Sequence, residues 1–419
     1  MQKKRVLVVD DSVFMRRIVS DLVGEHPDFQ VIATAKNGVE AVQMAKELQP
    51  DCITMDVEMP EMNGLEALKR IMKENPLPVI MLSSLTKEGA METIQALEAG
   101  AIDFVQKPSG SISLDLFKVK EMLHERLEIA VKSNIKRLSP SFPSAAVPPP
   151  ADPAPPKAPP LKEPPAAPRL RSVMPPASPV PEHPKPLRPS VQPERKAERP
   201  PLMRPEPKAV PPAAPPVKPA APIAKGPVKH LVALGTSTGG PRALQQVLTG
   251  LPEDFGAPIV IVQHMPPNFT NSLAVRLNSN CRIQVVEGQD GMILQPGTAY
   301  IAPGGFQMRV KSEGGGVYRL AITAEPPRGG HKPSVDTLFE SVLSLQELKR
   351  HIVIMTGMGS DGAKTMLELK NQGVATTIAE SEETCVVYGM PRAAVELGCV
   401  DHLLPVHEIP NQLIRALMK

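Results

Sequence analysis

From Arg5 the chain runs RVLVVD, FQVIATA, CITMD, LPVIMLSS and DFVQKP. Each of these apolar runs is followed by about ten or more residues whose apolar positions recur at helical spacing. Strand-like runs alternating with amphipathic helices predict a parallel sheet covered by helices on both faces. The rhythm stops near residue 137 and returns with HLVALG, APIVIVQH, CRIQVVEG, HIVIMTG and VATTIAE. The stretch from Thr298 to Ala324, TAYIAPGGFQMRVKSEGGGVYRLAITA, breaks it with alternating strands around a loose SEGGGV turn, which predicts hairpin strands. The fold class is thus α/β: a flavodoxin-like (βα)5 domain over residues 1–137 and a Rossmann-like doubly wound α/β domain with an antiparallel insertion over 228–419.

Between them, residues 138–227 hold most of the 51 prolines, in runs such as VPPPADPAPPKAPP, with almost no aromatic residues. Such a segment cannot bury enough apolar area to offset the entropy of ordering it, so a disordered, polyproline-rich tether is expected. The net charge of the chain is only +3, and the tether carries the positive excess. The flanking domains are left mildly acidic, and with no helix-turn-helix pattern in view nucleic acid is not an expected partner. No apolar run reaches the roughly eighteen residues that would suggest a membrane span, and the N-terminus shows no signal-peptide pattern, so a cytoplasmic protein without membrane insertion is expected. The four cysteines, Cys52, Cys281, Cys385 and Cys399, form no CxxC pair and indicate neither a zinc site nor a disulfide framework.

In open parallel sheets, sites form beyond the carboxyl ends of the strands. In the first domain those ends carry Asp10 and Asp11, then Asp56, then Ser83, then Lys107 before Pro108. Carboxylates gathered there repel one another unless a hard cation such as Mg²⁺ neutralises them, and an aspartate facing such a cation can attack a phosphoryl group. The DD pair, TMDVEMPEMNGLE, Ser83 and the KP pair, in this order and spacing, resemble the receiver domain of bacterial response regulators over about residues 3–124. The resemblance implies Asp56 as phospho-acceptor, with Mg²⁺ held by Asp10, Asp11, Asp56 and the backbone carbonyl of Glu58. It further implies Ser83 and Lys107 as contacts to the phosphoryl oxygens, Phe104 as the switch aromatic, and a histidine kinase as phosphodonor.

In the second domain LVALGTSTGGPRAL joins a strand to a helix through a glycine-rich turn. It lacks the lysine of a phosphate loop and the GxGxxG spacing of a dinucleotide site, and the next strand ends in Gln263 and His264 where a ribose-binding acid would stand. It does match G-x-S-x-G around Ser237, which presents a hydroxyl at a sheet edge beside helix-opening N–H groups. Gly235 is expected to allow the sharp turn, and Gly239 and Gly240 to let substrate approach the helix start. A serine nucleophile needs a base and the base needs an orienting carboxylate. His264 ends a strand on that edge, and HIVIMTGMGSDG ends a later strand and delivers Asp361 at the helix start, while His331 in RGGHKPSVD is a rival base whose loop the sequence does not place.

Together GTSTGGP, QHMPPNFT, HKPSVD, TGMGSDG and CVVYGMPR resemble the catalytic domain of chemotaxis receptor methylesterases over about residues 229–416. The resemblance implies a triad of Ser237 as nucleophile, His264 as base then acid, and Asp361 as orienting group. The chain order Ser, His, Asp differs from that of the α/β-hydrolases. The implied substrate is the glutamate methyl ester of methyl-accepting chemoreceptors, with methanol leaving and water cleaving the acyl-enzyme. No cofactor is expected for that step, and the same site is expected to deamidate receptor glutamine. Backbone N–H groups at the helix start and that of Met358 are the oxyanion candidates. The unphosphorylated receiver is expected to dock over the Ser237 edge, loosely because the tether is long. The competing reading is a receiver that controls a non-enzymatic binding domain.

Overall fold

The computed structural model describes residues 2–84, 86–107, 113–133 and 227–418. The expected tether, apart from Pro227, lies outside the described residues, as does Pro108. The first domain runs β1 (Lys4–Val9), α1 (Val13–Gly24), β2 (Phe29–Ala35), α2 (Gly38–Leu48), β3 (Cys52–Asp56), α3 (Gly64–Glu74), β4 (Val79–Ser83), α4 (Lys87–Glu98), β5 (Asp103–Gln106) and α5 (Ser113–Lys132). Its strands form one parallel sheet in the order β2-β1-β3-β4-β5. Ser12, Asn37, Asn63 and Thr86 cap α1 to α4, each side chain accepting an N–H from the first turn.

The second domain continues with β6 (His230–Thr236), α6 (Gly240–Thr249), β7 (Ile259–Gln263), α7 (Phe269–Asn280), β8 (Gln284–Glu287), β9 (Thr298–Ile301), β10 (Gln307–Gly314) and β11 (Val317–Thr323). It ends with α8 (Val335–Leu343), β12 (Lys349–Ile354), α9 (Ala363–Asn371), β13 (Thr376–Glu380), α10 (Met390–Glu396), β14 (His402–Leu404) and α11 (Ile409–Leu417). Seven strands make a parallel sheet in the order β14-β13-β12-β6-β7-β9-β8, and β10 and β11 form a separate antiparallel pair. The two-residue period divides each central strand: Val232, Leu234, Ile259, Ile261 and Val353 face one core, while Leu231, Ala233, Val260, Val262, Ile352 and Ile354 face the other.

The hairpin expectation needs one correction. TAYI is not a hairpin strand but β9, paired parallel to both β7 and β8. All four of its residues are buried, as a strand covered on both faces requires, and only Gln307–Thr323 turns back on itself. The first domain also meets the second: α4 packs against α7 and α6, and one apolar cluster runs through both.

The chain leaves β6 for β7 on one side and returns later to β12 on the other. The reversal of strand order therefore lies between β6 and β12, where the crevice of an open α/β sheet forms. Three loops end there, after β6, β7 and β12, and they carry Ser237, His264 and Asp361.

Candidate active site

In the first domain, carboxylate oxygens of Asp10, Asp11 and Asp56 lie within 4.8 Å of one another. Asp11 and Asp56 border a cleft of ≈ 440 Å³ lined also by Glu58, Ser84 and Lys107. Lys107 Nζ stands 2.9 Å from Asp10 Oδ2 and 2.6 Å from Asp56 Oδ2. Burial pushes the Asp56 carboxyl up to about 6, with the Asp10 charge adding to the rise and Lys107 opposing it. Burial works against the Lys107 charge, but the bonds to Asp10 and Asp56 outweigh it and raise its pKa. One ammonium among three carboxylates leaves an excess of oxygen charge, an acidic cluster typical of a Mg²⁺ site. Glu58 N–H donates to Asp56 Oδ1 at 3.3 Å. Gly64 packs so close behind that a Cβ on it would fall 1.9 Å from Asp56 O. Ser83 is fully buried and turned from the cleft: its hydroxyl accepts from Thr93 Oγ1 at 2.7 Å and reaches the Gly89 carbonyl at 3.3 Å. Phe104 is buried against Phe269 of the second domain, the rings stacked at 4.5 Å.

In the second domain, Thr236 and Gln263 are β-paired. Ser237 and His264, the next residue on each strand, are therefore lateral neighbours, and His264 N–H donates to Thr236 O at 3.1 Å. The Ser237 turn is held on both sides: Ser237 N–H donates to Thr356 O at 3.0 Å, and Gln263 Nε2 to Ser237 O at 2.9 Å. His264 Nε2 lies 2.8 Å from Asp361 Oδ2, and its Nδ1 is buried with no hydrogen-bond partner. With Asp361 ionised, the tautomer is fixed by that contact: Nε2 carries the proton and Nδ1 offers a lone pair.

Asp361 is gripped by the start of α8. Its Oδ1 accepts from Ser334 Oγ and Asp336 N–H, each at 3.0 Å, and its Oδ2 from Val335 N–H at 2.7 Å. Burial alone would raise this carboxyl, but His264 and the backbone donors hold it well below the usual carboxylate range. HKPSVD thus positions the carboxylate, a role its residue types do not announce beyond the N-cap serine. His331, the rival base, is brought to the same place: its ring stacks on that of His264, centroids 3.9 Å apart and planes 6° from parallel. Burial and the neighbouring His264 push its pKa down to about 4, so it is neutral at pH 7.

The helices that follow the three loops, α6, α7 and α9, begin without a side-chain cap, unlike α1 to α4, so no cap side chain competes for their opening N–H groups. The N–H groups of Thr238, Gly239 and Met358 make no hydrogen bond among the described residues. The glycines differ from expectation. Gly239, at φ +81°, supplies the turn, whereas Gly235 lies within β6 and is needed for closeness, since a Cβ there would meet Val335 Cγ1 at 2.3 Å. A Cβ on Gly240 would strike Gln263 Oε1 at 1.9 Å, so this glycine serves internal packing and not approach by substrate.

Two further residues escape a reading of motifs. Thr356 ties the loops together: its carbonyl accepts from Ser237 N–H and Thr236 Oγ1, and its hydroxyl donates to Thr238 O at 2.9 Å. Behind it Glu380, 1 % exposed, accepts Thr356 N–H at 2.8 Å and Thr384 Oγ1 at 2.9 Å. An acid closing the strand-like VATTIAE run is the one signal the sequence offers. Burial pushes Glu380 up to about 7 against these donors. Folding then takes up a proton between the ordinary glutamate range and about 7, so this residue's contribution to stability falls as pH rises through that window. Glu380→Gln is expected to lessen that fall, seen as a urea midpoint that declines less between pH 5 and pH 8 than in the wild type; an unaltered decline would contradict it.

Comparison with known proteins finds a match for each domain. Residues 232–413 match the family described as CheB methylesterase and residues 6–115 the response regulator receiver domain. A protein-glutamate methylesterase/protein-glutamine glutaminase of Geobacillus kaustophilus is 44% identical over 415 residues, covering 99% of each chain. The protein of the same description from Bacillus subtilis is 41% identical with 99% of each chain covered. Among solved structures, the Thermotoga maritima CheB methylesterase catalytic domain is 43% identical, covering 45% of this chain and 98% of that one with a TM-score of 0.43. The response regulator domain of T. maritima CheB is 54% identical, covering 32% and 99% with a TM-score of 0.30. The chain belongs to the CheB methylesterase family, in the form that carries a receiver domain ahead of the methylesterase domain.

Proposed function

We propose that Ser237, His264 and Asp361 hydrolyse glutamate methyl esters of methyl-accepting chemoreceptors and deamidate their glutamines, under control of phosphorylation at Asp56. As a member of its family the chain is a receiver-regulated protein-glutamate methylesterase/protein-glutamine glutaminase of chemotaxis. The observation that carries the residue roles is the His264 ring, bound through Nε2 to a carboxylate, with Nδ1 buried and unpartnered, on the strand end next to that of Ser237.

Ser237 Oγ attacks the ester carbonyl as its proton passes to His264 Nδ1. The oxyanion is received by the N–H of Met358 and those of Thr238 and Gly239 at the start of α6. His264, now an imidazolium stabilised by Asp361, returns the proton to the departing methoxide, and methanol leaves. Water, deprotonated by His264, then cleaves the acyl-enzyme and restores the glutamate and the serine. An amide differs in its leaving group alone, so glutamine follows the same path with ammonia released. The hydrolytic step uses no cofactor.

In the receiver, Asp10, Asp11, Asp56 and the backbone carbonyl of Glu58 would hold Mg²⁺, which when bound offsets the charge of the carboxylates and of the incoming phosphoryl group. Asp56 accepts that group from a histidine kinase, and Lys107, now paired with Asp56, turns to the phosphoryl oxygens. Ser83 joins it on release from Thr93. Thr238, next to the nucleophile, donates its hydroxyl to Asp103 of the receiver at 2.6 Å, and Glu98 of the receiver binds Arg276 at 2.9 Å. The receiver therefore covers the start of α6 until phosphorylation loosens it. Among the described residues no helix is long and apolar enough to cross a membrane, which suits action from the cytoplasm on the cytoplasmic helices of the receptors.

The test is methanol release from methylated receptor membranes, with and without a small-molecule phosphodonor. Wild type is expected to be stimulated, Asp56→Asn to lose the stimulation and keep a basal rate, and Ser237→Ala to lose both. Undiminished release by Ser237→Ala would remove the triad.

A further inference from the structure

The sequence left His331 as a competing base, and the mechanism above does not use it. Its ring nevertheless stacks on one face of His264, with centroids 3.9 Å apart and planes within 6° of parallel. The backbone that presents it is pinned from several sides. Arg328 and His331 exchange N–H···O bonds at 3.0 and 2.9 Å across a Gly329-Gly330 turn. Gln307 Nε2 donates to His331 O at 3.1 Å, while its Oε1 accepts Ser334 N–H at 2.8 Å, and Arg328 is anchored to Glu340. Three to five residues further on, Ser334, Val335 and Asp336 hold the carboxylate that binds His264 Nε2. One six-residue segment therefore fixes both the plane of the imidazole and the acceptor at its edge.

We propose that His331 is a positioning residue for the hydrolytic reaction: its ring acts as a flat, uncharged clamp that holds the His264 imidazole in the plane where Nε2 meets Asp361 and Nδ1 is left for the Ser237 proton. The proposal rests on His264 being the general base. An imidazole held by one hydrogen bond at Nε2 can still swing about that bond, and a parallel aromatic ring at 3.9 Å removes that freedom. Small misplacements of a base matter, since about 1 Å can cost 10²-fold in rate. The ring also stays favourable when His264 becomes an imidazolium, because the face of an uncharged aromatic ring attracts a cation. None of this requires a nitrogen in the ring at position 331, and that separates positioning from proton transfer.

The experiment uses the full chain with a phosphodonor on methylated receptor membranes, comparing wild type, His331→Ala and His331→Phe. His331→Ala is expected to lose about tenfold or more in kcat with KM changed less than about twofold, and His331→Phe to recover most of that loss. A second readout does not depend on turnover. In ¹⁵N spectra of the imidazole side chains, His264 is expected to show one tautomer protonated at Nε2 in wild type and His331→Phe, and a mixture in His331→Ala. An unchanged kcat in His331→Ala, or a His331→Phe protein as slow as His331→Ala with the His264 tautomer intact, would overturn the proposal. His264→Gln serves as the control: activity surviving that change would refute the triad itself, and the tautomer spectra of the His331 variants would still judge the clamp.

Discussion

Asp361→Asn is expected to lower kcat by about 10⁴ with little change in KM, the size of loss that follows when a triad carboxylate is replaced by its amide. The reason lies in the four donors that surround this side chain. Oδ1 takes Ser334 Oγ and Asp336 N–H, and Oδ2 takes Val335 N–H and His264 Nε2. An amide has one acceptor oxygen, so its NH₂ must replace one of these pairs. Kept at Oδ1, the oxygen preserves the bonds to Ser334 and Asp336 but turns the NH₂ toward His264 Nε2. The ring then relaxes by accepting there, its proton moves to Nδ1, and the nitrogen that should receive the serine proton no longer has a lone pair. Either orientation sets NH₂ against one N–H at the start of α8, Val335 with the oxygen at Oδ1 or Asp336 with it at Oδ2, but the first keeps two donors on the oxygen and loses the His264 tautomer. Measuring kcat and KM for methanol release, with thermal melting to check the fold, decides the matter. A loss smaller than about tenfold in a well-folded Asp361→Asn protein would mean that the tautomer does not control the rate.

The chemistry at strand ends was legible because position and residue type there carry the same message. Asp10, Asp56, Lys107, Ser237 and His264 each stand at or just past the end of a strand in an otherwise apolar run, and the topology of a parallel sheet then gathers them. Asp361 follows the same rule one loop further on. What the sequence could not supply was direction within that edge. Which imidazole nitrogen meets Asp361 depends on a grip made by Ser334 and Val335, from a loop with no periodicity to place it. His331 illustrates the same limit: its type suggested a base, and only coordinates show it lying flat on another ring. Ser83 stood at the expected strand end yet points into α4, because its hydroxyl finds Thr93 and the Gly89 carbonyl there. TAYI reads as hairpin by its neighbours, whereas its burial on both faces puts it in the main sheet. Gly239 and Gly240 of the nucleophile turn read as room for substrate, but the atoms that would clash with an added Cβ on them belong to the protein's own Val386 and Gln263.

The contact between the domains leads to the second large effect. In an Asp56→Asn background, which cannot be phosphorylated there, Glu98→Arg combined with Phe104→Ala is expected to raise basal methanol release by up to about 10². Glu98 meets Arg276 through Nε at 3.0 and 3.1 Å and Nη2 at 2.9 Å, with the carboxylate largely buried. Phe104 stacks on Phe269, which opens the helix following His264. An aromatic pair of this kind contributes about 1 kcal/mol beyond its buried area. A well-aligned, partly buried ion pair contributes a similar amount, and reversing one charge adds repulsion. Loss of about 3 kcal/mol from the docked state shifts a docked-to-open equilibrium by about 10², so a domain pair that is mostly closed becomes mostly open. The gain must stop at the rate of the fully phosphorylated wild type, because opening exposes the site and adds nothing to its chemistry. Exchanging the charges, Glu98→Arg with Arg276→Glu and Phe104 retained, is expected to restore most of the inhibition, which a loss of folding would not do. If the swapped pair stays as active as Glu98→Arg alone, or if neither variant raises the basal rate, the receiver does not restrain Ser237 through this face.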